Sequence, residues 1–416
     1  MMLPEGWIRC PLSEIAEVRT GLAKGKTNLI DPVELPYLRV ANVQDGFINL
    51  NEVKTISVDR QNITRYALKT GDILMTEGGD FDKLGRGAVW NGSIDPCLHQ
   101  NHVFAVRVNQ ELVNPIFLSA FAGSEYGRTY FLSCAKRSTN LASINSSQLK
   151  SFPVLLPPIT EQNRIAKILS TWDQAIATTE QMLANGQRCV RDLMASMLSG
   201  RRRFPDFSEK WRHVNLDTVF ERVTRKNTVT NTNVLTISAE HGLISQRDYF
   251  NKSVASANLT GYTLLHRYDF AYNKSYSAGY PMGAIKPLLA YKAGVVSSLY
   301  LCFRLRDDVE ADFDFFRHYF ETGLLNQEIE GIAQEGARNH GLLNVSVTDF
   351  FKLQLHIPCA AEQRRIAEVI NVARAEEATL KAQVQALRQE KSALMSQLLT
   401  GKRRVKLTEE DNPAQT

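Results

Sequence analysis

The sequence predicts a mixed α/β chain written twice, with two lobes at opposite ends of two long antiparallel coiled-coil helices and an internal twofold repeat. Three observations predict it. Glu161, Gln162, Arg164, Ile165 and Ala166 recur without a gap as Glu362, Gln363, Arg365, Ile366 and Ala367, and Leu193, Met194, Leu198, Gly200, Arg202 and Arg203 return as Leu394, Met395, Leu399, Gly401, Arg403 and Arg404. Each copy carries a sustained heptad pattern. The stretches between the copies are short apolar runs divided by turn residues.

The helices come first. Steps of four and three run through Ile165, Leu169, Trp172, Ile176, Thr179, Leu183, Gly186, Val190, Leu193 and Met197. The same register continues in the second copy through Ile366, Ile370, Ala373, Glu377, Leu380, Val384, Leu387, Lys391, Leu394 and Leu398. Pro157, Pro158 and Pro358 stand just ahead of the starts, while Gly200 and Gly401, each trailed by basic residues, are stop signals. At 1.5 Å per residue each helix is about 60 Å long. Thr179, Gly186, Glu377 and Lys391 interrupt the apolar seam, and such interruptions select register and partner at a cost in stability.

The lobes pair more loosely. Trp7, Leu12 and Glu17 correspond to Trp211, Leu216 and Glu221, and Tyr66, Leu68, Gly87 and Ala88 correspond to Tyr262, Leu264, Gly283 and Ala284. Pro36 to Val43, Ile73 to Met75, Val103 to Val108 and Val295 to Leu305 read as strands, and Pro115 to Phe121 and Phe313 to Tyr319 have helical spacing. Each lobe is therefore expected to be an α/β domain with its own core. The expected division is lobe one at 1–158, helix one at 159–200, lobe two at 201–357, helix two at 358–401 and a disordered tail at 402–416. Because domain termini usually lie close together, antiparallel helices let the second lobe leave and return at one end of the rod; parallel helices would force it to span the full length.

The chain has 416 residues and a formal net charge of +5, which permits an anionic partner without requiring one. No run approaches the roughly 18 apolar residues of a membrane span, and no segment reads as a signal peptide. The six cysteines are scattered without paired spacing, which suits reduced thiols and a cytoplasmic location.

Several catalytic look-alikes fail on context. Gly21, Gly25, Lys26 and Thr27 fall one residue short of a phosphate-binding loop, and Asp31-Pro32 follows where its helix should run. Cys97, His99 and His102 lack a fourth metal ligand, so no metal site is expected. Asn114-Pro115-Ile116-Phe117 lacks the second proline of an adenine-methyltransferase motif and reads as a helix start. Pro205-Asp206 before Glu209-Lys210 is too compressed for a nuclease centre. No catalytic residue is assigned.

The segments Leu156-Pro157-Pro158-Ile159-Thr160-Glu161-Gln162 and Ile357-Pro358-Cys359-Ala360-Ala361-Glu362-Gln363 each introduce a long helix after a lobe of unlike sequence. With Thr139 to Asn145 and Gly78 to Gly87, they make the chain resemble the specificity subunit of type I restriction-modification enzymes over about residues 5 to 404. The second lobe departs from the family form at Arg338 to Asn344. The resemblance implies that each lobe is a target recognition domain reading one half of a bipartite DNA site. It implies that the helices set the spacing and dock two methylation subunits, and that restriction (motor-nuclease) subunits join the complex. No cofactor is expected on this chain; S-adenosylmethionine would sit on the methylation subunit, and ATP and Mg on the restriction subunit. Unlike lobes cannot easily read the same bases, so the target should be asymmetric. The alternative is a coiled-coil adaptor that binds only proteins.

Polar loops supply the candidate DNA contacts. In the first lobe these are Lys83 and Arg86 in the glycine-rich stretch, Gln100 and Asn101, and the run Lys136, Arg137, Thr139 and Asn140. In the second they are Asn273, Lys274, Ser275, Tyr276 and Tyr280, then Arg338, Asn339 and His340. Arg suits guanine edges, Asn and Gln suit adenine edges, and Lys, Ser and Tyr commonly hold phosphates. Arg201 to Arg203 and Lys402 to Arg404 read first as compensation of helix C-terminal dipoles, with phosphate contact as the lesser alternative.

Overall fold

The computed structural model describes residues 3–25, 29–79, 81, 84–137, 142–238, 242–250, 258–277, 279–335 and 343–407. The chain divides into two compact units, one of Met1–Glu180 with Ala382–Thr416 and the other of Gln181–Lys381.

The first unit is built on a four-stranded sheet of β1 (Ala16–Thr20), β2 (Ile73–Thr76), β3 (Gly87–Val89) and β4 (Val103–Val108), ordered β1-β4-β2-β3. All neighbours are antiparallel. A second sheet joins Pro32–Leu38 to Lys54–Asp59 and, in parallel, to Leu98–His99. The helices Pro115–Gly123 and Glu125–Cys134 lay Phe117, Phe121 and Phe131 into the same core as Phe104 and Phe152. Asn114 starts the first of them as expected, its side chain accepting from the Ile116 and Phe117 amides at 2.8 and 3.1 Å. Leu398 and Leu399, from the far end of the chain, complete this core.

The second unit repeats the plan. Strands β5 (Phe220–Arg222), β6 (Phe270–Asn273), β7 (Ala284–Pro287) and β8 (Leu301–Leu305) are ordered β5-β8-β6-β7, the counterpart of the first sheet strand for strand. Phe313–Glu321 and Asn326–Ile332 replace the first helix pair, and the core is a cluster of rings in which Phe220 meets Phe270, Phe303, Phe316 and Phe320 at 4.9 to 5.8 Å. Tilted and edge-on rings of this kind add favourable quadrupole contacts to their area burial. A turn aspartate is duplicated as well. Asp72 is buried and held by Arg107 through two hydrogen bonds of 2.7 Å, and Asp269, likewise buried, pairs with Arg225.

Two expected strands are divided. Pro36 to Val43 supplies only the end of Pro32–Leu38 before a 3-10 turn at Val40–Asn42. The Asn42 side chain binds the carbonyls of Asn49 and Glu52 there, which curls the backbone away from the sheet. Val295 to Leu305 breaks into Ala293–Val296 and Leu301–Leu305. The intervening turn is closed by the Tyr300 amide on the Ser297 carbonyl, 3.1 Å.

The long helices are α1 (Ile159–Met197) and α2 (Ala360–Leu398), 39 residues each, and each contributes one part to each unit. The buried heptad positions join the helices to the lobe cores, Ile165, Leu169 and Leu398 in the first and Val190, Met197, Ile366 and Ile370 in the second. Ile165, Leu169, Val190 and Met197 in α1, and Ile366, Ile370, Leu380, Val384 and Leu398 in α2, are buried, each burial contributing about 1.5–3 kcal/mol for a large aliphatic side chain. Within each unit the helices run antiparallel, residue numbers rising on one as they fall on the other. In the first unit Asp173 meets Lys391 and Glu180 meets Arg388; in the second Gly186 lies beside Leu380 and Met194 beside Arg374. The polar interruptions are accommodated locally. Lys391 reaches the Asp173 carboxylate, Glu377 pairs with Arg374 one turn away, and the Thr179 hydroxyl donates to the Ala175 carbonyl. Gly200 and Gly401 end the helices at φ +76° and +70°, a backbone conformation that favours glycine.

Candidate nucleic-acid interface

The repeated Glu-Gln at each helix start is architectural. Glu161 is buried and accepts from Arg404 at 2.7 and 3.2 Å and from the Trp7 indole at 3.2 Å. Glu362, also buried, accepts from Arg203 at 2.7 and 2.9 Å and from Trp211 at 3.3 Å. Gln162 and Gln363 are buried beside them and bind backbone of the adjoining lobe, Gln162 accepting from the Asn114 amide and Gln363 from that of Asp312, both at 2.9 Å. Arg203 and Arg404 therefore clasp helix-start carboxylates instead of compensating the dipoles of their own helices. Arg201 does bind its own helix end, donating to the Ala195 carbonyl at 3.2 Å.

In the first lobe three of the polar segments meet through their backbones. Strand β2 runs into Glu77, and Gly78–Gly79 pairs with Ala142–Ser143, which pairs in turn with Lys136–Arg137 to give a three-stranded ribbon. Only a glycine fits at 78, because a Cβ there would lie 2.8 Å from the Ala142 carbonyl oxygen. The Glu77 amide donates to the His102 carbonyl at 3.0 Å, and its carboxylate binds the His102 ring at 2.5 Å, which draws the 100–102 turn to the ribbon. Gln100 and Asn101 are half-buried, and their amides bind Leu38 and Leu22 carbonyls, so this turn is fixed by the second sheet. Lys136 is exposed. Arg86 is half-buried on the segment entering β3, and among the described residues its buried Nε has no hydrogen-bond partner. For Arg137 only the backbone is described, and Lys83, Thr139 and Asn140 lie outside the described residues.

The second lobe reproduces the junction with other side chains. Strand β6 runs into Lys274, whose carbonyl accepts from the Leu343 amide at 2.9 Å, and Leu343–Asn344 pairs with Gln334–Glu335. The loop after the strand and the ribbon thus come together as they do in the first lobe. Asn273 turns its side chain onto the Ser275 amide at 3.2 Å, which shapes the loop start, while Tyr276 is 65% exposed. Tyr280 instead faces inward onto Lys286 and Glu321. Arg338, Asn339 and His340 lie outside the described residues. Sequence reasoning missed Glu77, Lys286 and Glu321; their signal is contact with distant loops, which no local pattern records.

The rejected metal cluster is unsuited to ligation as placed. Burial pushes the Cys97 thiol up to about 12, away from the thiolate a metal needs, and the buried His99 ring is engaged by the Val103 carbonyl at 2.7 Å. Among the described residues no group of three or more His, Cys, Asp or Glu could hold a metal ion, and no helix is long and apolar enough to cross a membrane. All six cysteines are free.

A doubled α/β lobe, each copy followed by a long helix, is the fold of type I specificity subunits. The HsdS subunit from Thermoanaerobacter tengcongensis matches with a TM-score of 0.52 at 16% identity, covering 97% of this chain and 99% of that one. A chain from a structure describing complex assembly and conformational transition of a type I R-M system matches with a TM-score of 0.58 at 16% identity, over 97% and 100%. Residues 4–185 match the type I restriction modification DNA specificity domain. It is 29% identical over 199 residues to the type I restriction enzyme MjaX specificity subunit of Methanocaldococcus jannaschii, 47% of this chain and 46% of that one. It is 25% identical over 213 residues to the EcoKI specificity subunit of Escherichia coli, 50% of this chain and 44% of that one. The matches thus span about half the length of these curated relatives.

Proposed function

We propose that this chain is the non-catalytic DNA-recognition subunit of a type I restriction-modification complex. Each lobe reads one half of a bipartite, asymmetric target in double-stranded DNA. The paired helices dock two methylation subunits, which carry S-adenosylmethionine and methylate adenine at N6. Restriction subunits carrying ATP and Mg join the same scaffold and cleave unmethylated DNA.

One observation carries this reading: the same junction of a post-strand loop and a ribbon is built twice, on equivalent sheets, with different side chains. A duplicated scaffold supports two copies of one partner, and unlike loops support two different half-sites. In the first lobe the contacts are assigned to Arg86, Gln100, Asn101, Lys136 and Arg137 with Lys83, Thr139 and Asn140, and in the second to the 273–276 loop with Arg338, Asn339 and His340. The test is to map methylated adenines in DNA from cells with and without the chain. Loss of one bipartite motif supports the reading. An unchanged methylome, with the methylation subunit still bound to the chain, favours the protein-binding adaptor.

A further inference from the structure

Tyr280 belongs to the loop that joins β6 to β7, yet its hydroxyl is not free to meet a ligand. It donates to Glu321 Oε2 at 3.0 Å and accepts from Lys286 Nζ at 2.7 Å, and that ammonium also donates to Glu321 Oε1 at 2.5 Å. The same ammonium lies 4.7 Å from the Tyr280 ring centroid. Lys286 is 5% exposed, on β7, and Glu321 closes the helix Phe313–Glu321, so the three groups tie the loop to a strand and a helix at once. A buried ammonium this fully committed makes the tie stiff, because releasing Tyr280 would leave the Lys286–Glu321 pair short of a partner.

The rest of the loop is arranged around that tie. Ser277 and Tyr280 bridge each other across the turn, and Gly283, at φ +78°, packs so close to Asn273 that a Cβ would lie 2.3 Å from its carbonyl oxygen. Between these fixed points Tyr276 stands 65% exposed. The first lobe has no such device: by strand register and helix position, Ala88 and Gly123 stand where the second lobe has Lys286 and Glu321.

We propose that Tyr280 is a positioning residue, held by Lys286 and Glu321, that fixes the loop so that Tyr276 makes the loop's contact with DNA. This rests on the reading of the second lobe as a DNA-recognition domain. It deepens that reading by separating a residue that shapes the loop from one that touches the ligand.

The test uses the full chain with its methylation subunit, on DNA carrying the target found by methylome mapping. Tyr280→Phe removes the bridging hydroxyl and leaves the Lys286–Glu321 pair in place. Glu321→Gln weakens the tie from a helix behind the loop. Each is expected to weaken binding by roughly tenfold through loss of preorganisation, with discrimination at the first half-site retained. The double variant should be no worse than the weaker single variant, and Tyr276→Ala should weaken binding with the tie intact. Wild-type binding by Glu321→Gln beside a defect in Tyr280→Phe would overturn the proposal, since Tyr280 would then contact DNA itself. So would wild-type binding by both, additive losses in the double variant, or unaltered binding by Tyr276→Ala. Failure of the wild-type complex to prefer its target would instead overturn the DNA-recognition reading.

Discussion

Arg203 and Glu362, 159 residues apart in sequence, are joined by two hydrogen bonds of 2.9 and 2.7 Å, so the residues just past the end of α1 are locked to the start of α2. Arg404 and Glu161 form the matching clasp in the other unit. Arg203→Ala leaves a carboxylate of 1% exposure with the Trp211 indole as its remaining side-chain donor among the described residues. The expected loss is about 2 kcal/mol, below the usual figure for a broken buried pair because Arg203 itself is partly in water. Urea unfolding of wild type and variant checks it, and an unchanged midpoint would show the clasp to be dispensable.

Gly186 sits on the seam of α1, and a Cβ there would lie 3.7 Å from Leu380 Cδ1, ordinary contact distance. Gly186→Ala is expected to stabilise the chain by about 1 kcal/mol, the helix-propensity difference between the two residues. Calorimetry should show a rise in Tm; a fall would mean that the glycine serves close packing.

These two sites mark what the sequence made legible. The helix register, the stop glycines and the doubled lobes all follow from short-range spacing, and the paired Glu-Gln was visible as a repeat. What the Glu was for was not visible, because Arg404 reaches Glu161 across 243 positions of chain. The polar segments of the first lobe were found singly, but their meeting at Gly78–Gly79 is a product of strand pairing, and nothing local links residue 78 to residue 142. Tyr280 shows the converse limit: nothing local in the loop's sequence links it to Lys286 and Glu321, the partners its hydroxyl meets.

His99 is 2% exposed, and burial holds its pKa down to about 4 from the ordinary 6.5, with the Val103 carbonyl and then Asp72 pulling the other way. A histidine with a depressed folded pKa contributes stability that is present above the unfolded value and is lost as pH falls between 6.5 and about 4. The loss from this residue is on the order of 3 kcal/mol across the window. His99→Asn, whose amide can still donate to the Val103 carbonyl, should flatten this part of the urea-unfolding profile. A slope identical to wild type would place the acid sensitivity elsewhere.

Lys136 is exposed on the ribbon of the first lobe, the place of a phosphate-holding cation in the proposed complex. Lys136→Ala should weaken binding to target and non-target DNA alike and reduce the slope of log K against log salt by about 1. Titrations at several salt concentrations read this directly. A change confined to one base position would make Lys136 a sequence reader.

Exchanging residues 5–150 for the equivalent lobe of a relative should change one half of the methylated motif and leave the other as it was, because base contacts are local. Methylome mapping of the exchanged chain decides this, and alteration of both halves would refute independent reading by the lobes.

The first unit is composed of residues from both ends of the sequence, with Leu398 and Leu399 inside its core and Arg404 on its buried glutamate, whereas the second is one unbroken stretch, Gln181–Lys381. Synthesis proceeds from the N-terminus and domains generally fold as units. The lobe that leaves the ribosome first is therefore finished last, after the second has all its residues in hand. A chain that stops short of α2's final turns leaves that early lobe with an open core and an unclasped carboxylate, so synthesis through Arg404 is itself a condition of its fold.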